Sequence, residues 1–275
     1  MYKFLKVENN PRITYLYSGF TTIREAGYHY RGESHDFWEL LCVVEGKLQA
    51  TAGEKVFALE KGQAILHNPM QFHTISCPHG RDAEIIIFSF KGRNIPQLQD
   101  KICLISDMGR LKELFALSQR AFEFEDIYFT GVSGSQSDAL KFIKGLELLL
   151  LQLAANSMRP KELSTHGARN YNTITRVLGE NIDKRLSIKE IANLCNMSAV
   201  GMQKTFSRFA GIGVMEYFNR LKVNKAKEHL SEGCSVKETA YKVGFYDANY
   251  FSTVFKRITG STPESLKTLA KEDSQ

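Results

Sequence analysis

A set of polar side chains late in the sequence has the chemistry to read a nucleic acid: Gln203, Lys204 and Ser207, then Asn249, Ser252, Thr253 and Lys256. Side-chain amides match the adjacent donor and acceptor of adenine, and lysine suits guanine or a phosphate. In each set the groups fall on one side of an expected helix, beside Ala199 and Val200 in the first and Ala248 in the second. A different group lies early: Glu33, His35, Glu39 and His73, with Tyr28, Tyr30, Phe37 and Trp38 around them. Mixed imidazole and carboxylate donors can hold iron, manganese or zinc. The same groups can bond one another or a ligand hydroxyl, and the rings can stack on a sugar or pack a core. His67 and His79 add imidazoles with no defining spacing.

The elements that must position the late set form an internal repeat. Leu186-Ser-Ile-Lys-Glu-Ile-Ala192 recurs as Cys234-Ser-Val-Lys-Glu-Thr-Ala240 at an offset of 48. Met202, Phe206, Arg208 and Gly211 match Phe251, Phe255, Arg257 and Gly260 at an offset of 49, so one residue is inserted between the two helices of the second copy. Ser187 and Ser235 predict N-caps, with Glu190 and Glu238 completing capping boxes. Ser198 and Asp247 predict the caps of the second helices. Helix-turn-helix motifs are expected over 187–209 and 235–259, joined by a helix over 214–231 that carries Arg220, Lys222, Lys225 and Lys227. Met202, Phe206 and Phe209, then Phe251, Phe255 and Ile258, are expected to face the core. Residues 170–275 carry 16 Lys and Arg against 11 Asp and Glu, and the remainder 20 against 19. A basic half attached to a near-neutral half suits a chain that meets a polyanion with one end.

The first hundred residues read differently. Runs at 37–44, 48–51, 55–59, 64–66 and 84–90 are rich in β-formers and separated by glycine turns, which predicts a small barrel or jelly roll. After Pro96 the period becomes helical, with Leu111, Leu114 and Phe115, then a stripe of Leu140, Ile143, Leu146, Leu150 and Leu153 on a helix over 138–156. The expected organisation is a sensing domain over 1–156, a linker over 157–170 and a helical domain over 171–270. The fold class is α+β in two domains.

Several classes are disfavoured. The longest apolar stretch, Leu146 to Ala155, is interrupted by Glu147 and Gln152, whereas a bilayer span needs roughly 20 apolar residues. Met1 to Arg12 has charges where a signal peptide needs an apolar core, so a cytoplasmic location is expected. The five cysteines are scattered, with neither a disulfide framework nor a zinc pattern. Phosphate-loop, nucleophile-elbow and metalloprotease motifs do not occur, so no catalytic residue is expected. A protein-binding role for the two outward faces is disfavoured because they read as poor in aromatic and large aliphatic groups.

Residues 171–270 resemble the C-terminal domain of AraC-type (AraC/XylS) transcription regulators. Carrying motifs are Leu186-Ser-Ile-Lys-Glu-Ile-Ala192, Glu216-Tyr-Phe-Asn-Arg-Leu221, Ala240-Tyr-Lys-Val-Gly-Phe245, Asn249-Tyr-Phe-Ser252 and Thr259-Gly-Ser-Thr-Pro263. The resemblance implies double-stranded DNA as partner. It places Val200, Gln203 and Lys204 at base-reading positions of the first motif, and Ala248, Asn249 and Thr253 in the second. Ser198, Ser207, Asp247, Ser252 and Lys256 complete the expected interface. Three departures stand out: Thr253 where arginine is common, Gly201 at a cost of roughly 1 kcal/mol against alanine, and His229 in an aliphatic position. Glu39, Gly46, Gly62 to Pro69 and His73 more loosely resemble the cupin-like sensor domain that precedes this module. Metal-binding cupin enzymes carry His-x-His, a Glu and a distant His, and here Glu33 stands in for the first His. What the resemblance implies is an effector in the barrel, a sugar or related metabolite, contacted by Tyr28, Tyr30, His35, Trp38, Glu39 and His73. No cofactor and no metal is assigned. A homodimer through the 138–156 helix is expected, with RNA polymerase as a further partner of an activator.

Overall fold

Side-chain alternation along one long strand decides where most of the N-terminal half goes. The computed structural model describes residues 10–77, 80–98, 101–158, 163 and 165–266. Its contacts divide the chain into two units, Met1–Leu163 and Ser164–Gln275. His79, residues 159–162 and 164 of the expected linker, and residues 267–270 lie outside the described residues.

In the first unit the elements are β1 (Arg12–Arg24), β2 (Trp38–Ala52), β3 (Lys55–Glu60), β4 (Gln63–His67), β5 (His73–Ser76), β6 (Ala83–Arg93) and β7 (Ile102–Leu104). They are followed by α1 (Met108–Ala121), β8 (Phe122–Glu125), β9 (Tyr128–Val132), α2 (Gln136–Ala155) and β10 (Ser157–Met158). The strand path runs β10-β7-β4-β2-β6-β1-β9-β8, with β3 and β5 both pairing β2. The first part of β2 lies between β4 and β6. After a bulge between Val43 and Glu45 the β6 pairing ends at Gly46, and from Lys47 on β2 pairs instead with β3 and β5. Gly46 makes that bend with φ +81, and a Cβ there would run into the Asp82 carbonyl. One strand thereby serves both halves of the barrel.

The pleat of β2 separates two cores. Leu40, Cys42 and Val44 join a layer closed by α1 and α2, with Phe88, Phe142, Leu146 and Leu150. Leu41 and Val43 face inward with Leu48, Phe57, Ile85 and Ile87. Of the stripe expected on α2, Leu146, Leu150 and Leu153 are buried and Ile143 packs against their core, but Leu140 is not part of it. Leu140 is 57% exposed, while Ala139, Phe142, Leu146, Leu149, Leu150 and Leu153 are buried. Phe142 draws that face inward, because its ring packs against Phe88 and Phe122 at 5.6 and 5.5 Å. Buried Glu147 is satisfied by the Ile13 amide at 2.9 Å and by Lys144 Nζ at 2.7 Å.

The second unit is helical: α3 (His166–Gly179), α4 (Ile188–Leu194), α5 (Ala199–Ala210), α6 (Val214–Ser231), α7 (Val236–Lys242) and α8 (Ala248–Thr259). Helix α3 begins inside the segment expected to link the domains, and Ser157–Met158 at its other end pairs with β7. Thr165 caps α3 by accepting from the Ala168 amide, and buried Ala168 extends the core face ahead of Tyr171. Both capping boxes form, Ser187 with Glu190 and Ser235 with Glu238. Through the first half Tyr171 stacks on Phe206 at 5.4 Å, and Phe206 meets Tyr217 edge to face at 5.1 Å. Phe251, Val254 and Phe255 pack on Val223, Leu230 and Ala240 in the second, with Ile258 partly buried beside them.

Candidate effector pocket and DNA interface

The barrel holds a pocket of about 510 Å³. Its wall comes from β1 (Tyr17, Phe20, Arg24), the segment before β2 (Tyr28, Tyr30, Phe37), and β5, β6 and β9. Glu33, His35, Glu39 and His73 line it as expected, as do Tyr28 and Tyr30. Trp38 does not. It packs on the helix-side core, because its neighbour Glu39 takes the inward position and alternation sends Trp38 the other way.

Aromatic rings run from the pocket mouth to its floor. Tyr128 meets Tyr17 at 5.2 Å, Tyr17 meets Phe37 at 4.3 Å, and Phe37 stacks on His35 at 3.7 Å. His35 then meets His73 at 4.9 Å, and His73 stacks on His67 at 4.2 Å. His67 lies opposite Glu39 in the β2–β4 register, which is how a histidine without a motif comes to pack behind His73. Burial drives its pKa well below the ordinary histidine value. Burial works to raise the Glu39 carboxyl, but His73 and His35 hold it far below the usual carboxylate range. The same pairing lifts His73 against its own burial. Burial and then Glu33 push the Tyr30 phenol up. Tyr17, Phe20, Arg24, Ser89 and Tyr128 were not singled out from the sequence. A bulge between Leu16 and Ser18 in the β1–β6 register disturbs the period that would have shown Tyr17. Arg24 lies over the Tyr28 ring at 4.6 Å, and its buried Nε has no hydrogen-bond partner.

The second site is the outward surface of α5 and α8. Ser198 and Asp247 cap these helices, accepting from the Gly201 and Tyr250 amides at 3.1 and 2.7 Å. Gly201 therefore has a local reason: an alanine Cβ would come within 2.9 Å of Ser198 Oγ. Val200, Gln203, Lys204 and Ser207 are exposed on α5, as are Asn249, Thr253 and Lys256 on α8. Ser252 is half-buried and donates to the Ala248 carbonyl, and Thr253 donates to that of Asn249. Val200 is 76% exposed, in keeping with its expected place on the outward face, and Tyr246 at 78% and Tyr250 at 58% are exposed here too, against the expectation from sequence. The two tyrosines follow the turn glycine and the Asp247 cap, where no apolar period could mark them as surface. Lys222, expected on an open basic helix, is buried. Its Nζ donates to the carbonyls of Ile182, Lys184 and Val243 at 2.5, 2.8 and 2.7 Å. Burial lowers its pKa to about 8 against the pull of Asp183.

A ligand-binding barrel and a double helix-turn-helix domain on one chain define a DNA-binding transcription regulator with its own sensor. Two family models agree: the AraC-like ligand binding domain matches residues 19–121, and a helix-turn-helix domain matches residues 191–268. The chain belongs to the AraC/XylS family of transcription regulators. It is 25% identical over 253 residues to the HTH-type transcriptional activator RhaR of Pectobacterium carotovorum subsp. carotovorum (strain PC1), covering 85% of this chain and 84% of that one. It is 32% identical over 99 residues to the bifunctional transcriptional activator/DNA repair enzyme AdaA of Bacillus subtilis (strain 168). That match covers 36% of this chain and spans about half, 47%, of the relative. Among solved structures, ToxT from Vibrio cholerae O395 aligns over 92% of this chain and 98% of its own, with 12% identity and a TM-score of 0.38. No helix among the described residues is long and apolar enough to cross a membrane.

Proposed function

We propose that this chain is a cytoplasmic, non-catalytic regulator that reads double-stranded DNA with α5 and α8. A small polar metabolite, a sugar or a relative of one, bound in the barrel controls it. The observation that carries the DNA reading is the pair of capped helices that hold Val200, Gln203, Lys204, Asn249 and Lys256 out from the core. Val200, Gln203, Lys204 and Ser207 contact one half-site; Asn249, Ser252, Thr253 and Lys256 contact the other; Ser198 and Asp247 set the two N-termini at the backbone. Two such heads about 34 Å apart would enter successive major grooves on one face of the duplex. For the effector, the pocket supplies what a polar ring compound needs: aromatic faces at Tyr17 and Phe37, carboxylates and imidazoles at the floor, and the bare Arg24 Nε.

Leu140, Leu148 and Leu151 remain exposed on α2, beside the groove it forms with α1. Apolar groups left out on one helix support a homodimer through that face. The activators RhaR and RhaS among its relatives support activation, with RNA polymerase as the further partner.

The test is selection of the full-length protein against randomised duplex DNA, with binding then measured at two salt concentrations. Enrichment of a two-part site with steep salt dependence supports two reading heads. Failure to enrich any sequence removes the regulator reading. A panel of sugars and sugar acids is then scored by the shift each causes in affinity for the selected site.

A further inference from the structure

The pocket floor gathers four donor groups more closely than contact with an organic effector alone requires. Glu33, His35, Glu39 and His73 each offer one ligand-competent atom, and these atoms all lie within 4.8 Å of one another. Both histidines are oriented from behind. His35 Nδ1 lies 3.0 Å from the Phe37 carbonyl oxygen, and His73 Nδ1 lies 2.9 Å from that of Gln71. A carbonyl only accepts, so each ring carries a proton on Nδ1, and Nε2 is the atom turned to the cluster, able to ligate an ion that displaces any proton it holds. Both Nε2 atoms are buried without a hydrogen-bond partner, and His73 is 2% exposed.

The distances separate two explanations. His73 Nε2 lies 3.4 Å from Glu39 Oε1 and 4.0 Å from Glu33 Oε1, and His35 Nε2 lies 3.5 Å from Glu39 Oε2. A hydrogen bond between such atoms closes to about 2.9 Å. Donors that share one ion at about 2.1 Å, set tetrahedrally, stand about 3.4 Å apart. The two histidine contacts to Glu39 have the wider spacing, and half-exposed Glu33, at 4.0 Å from His73, would close inward on the ion. Its frame is held by backbone pairing: Glu33 and His73 exchange main-chain hydrogen bonds at 3.0 and 2.9 Å, and Glu39 is locked between β4 and β6. His67 stacks on the His73 ring from the far side and fixes its plane.

We propose that Glu33, His35, Glu39 and His73 bind one divalent transition-metal ion. Two imidazole nitrogens and two carboxylates suit zinc, iron(II), manganese or cobalt better than magnesium or calcium, which favour all-oxygen sites. The two carboxylates balance the ion's charge, and half-exposed Glu33 is the ligand nearest the mouth. An ion here would offer its remaining coordination positions to the oxygens of an effector. That consequence rests on the pocket being the effector site; the binding of the ion does not.

The full-length protein, stripped with a chelator and then freed of it, is titrated with cobalt(II) followed by visible absorption and with zinc(II) followed by calorimetry. The expected result is one equivalent bound, with d–d bands of an N/O site. Glu39→Gln and His73→Gln should weaken binding at least about 100-fold, and Glu33→Gln about 10-fold. Far-UV circular dichroism checks that each is folded, and Glu33→Gln serves where a buried change prevents folding. No saturable uptake by the wild type overturns the proposal, as does wild-type affinity in the folded variants. Selection of a DNA site by a protein that takes up no metal would sink the metal site and leave the regulator standing. One bound equivalent with unchanged DNA affinity would support the site and count against metal-dependent regulation alone.

Discussion

The two helix-turn-helix copies match from cap to cap and part company at the turn. Copy one crosses from α4 to α5 through Cys195–Ser198, with Asn196 in the left-handed region at φ 55. Copy two uses one residue more, from Val243 to Asp247, and places Gly244 at φ +70. A Cβ on Gly244 would come within 2.6 Å of the Asp183 carbonyl oxygen and of Lys222 Nζ. The longer turn is also the one pinned by a buried ammonium, since Lys222 binds the Val243 carbonyl together with those of Ile182 and Lys184. The extra residue therefore came with its own anchor, and the copies are alike in frame but not in what holds them.

The largest expected effect tests the likeness. Phe206→Ala and Phe255→Ala each remove a fully buried ring, and both should cost about 3–5 kcal/mol in denaturant unfolding. A difference of more than a factor of two between them would mean that the cores are not equivalent. Lys222→Met tests the difference. It strands three carbonyls beside the second copy, for a loss of about 1–3 kcal/mol, and amide exchange should speed up at the 243–247 turn before it does at 195–198. Uniform exchange would show that the anchor serves the whole domain.

On DNA, Gln203→Ala and Lys204→Ala should each weaken the selected site by about 1–3 kcal/mol and relax its first half. Removing either capping serine, Ser187 or Ser235, should cost about 1 kcal/mol, the same in both copies, read as a fall in Tm. The smallest effect is expected for Thr253→Ala, within about 0.5 kcal/mol in affinity, because that hydroxyl is already bonded to its own helix. A loss as large as that at Lys204 would restore the second helix to equal standing as a reader.

The repeat was open to sequence reading because caps, small crossing residues and aromatic positions are local and recur at a countable offset. Ser187 with Glu190 and Ser235 with Glu238 form the boxes their spacing predicts. The pocket was only half legible. Glu39 and His73 could be named by type, but which neighbour shared their face depended on strand phase, and Trp38 fell on the wrong side of it. Helix α2 is legible at Leu146, Leu150 and Leu153 but not at Leu140: with leucine at so many positions, the edge of the stripe is fixed by Phe142 and by partners far away in sequence. Lys222 carried no local mark of burial, since the carbonyls it binds come from two separate loops.

The double duty of β2 bears on which changes this protein can survive. Its pleat gives Glu39, Leu41 and Val43 to the pocket side and Leu40, Cys42 and Val44 to the helix side. A single-codon insertion or deletion near its start would exchange the two sets at once, placing a carboxylate in the helix layer and taking Glu39 from the pocket floor. The turn between α7 and α8 has already absorbed such an event. Length polymorphism among natural or laboratory variants should therefore collect at turns of the helical unit and avoid 38–44 altogether, and a library of one-residue indels scored for folded protein would map that intolerance directly.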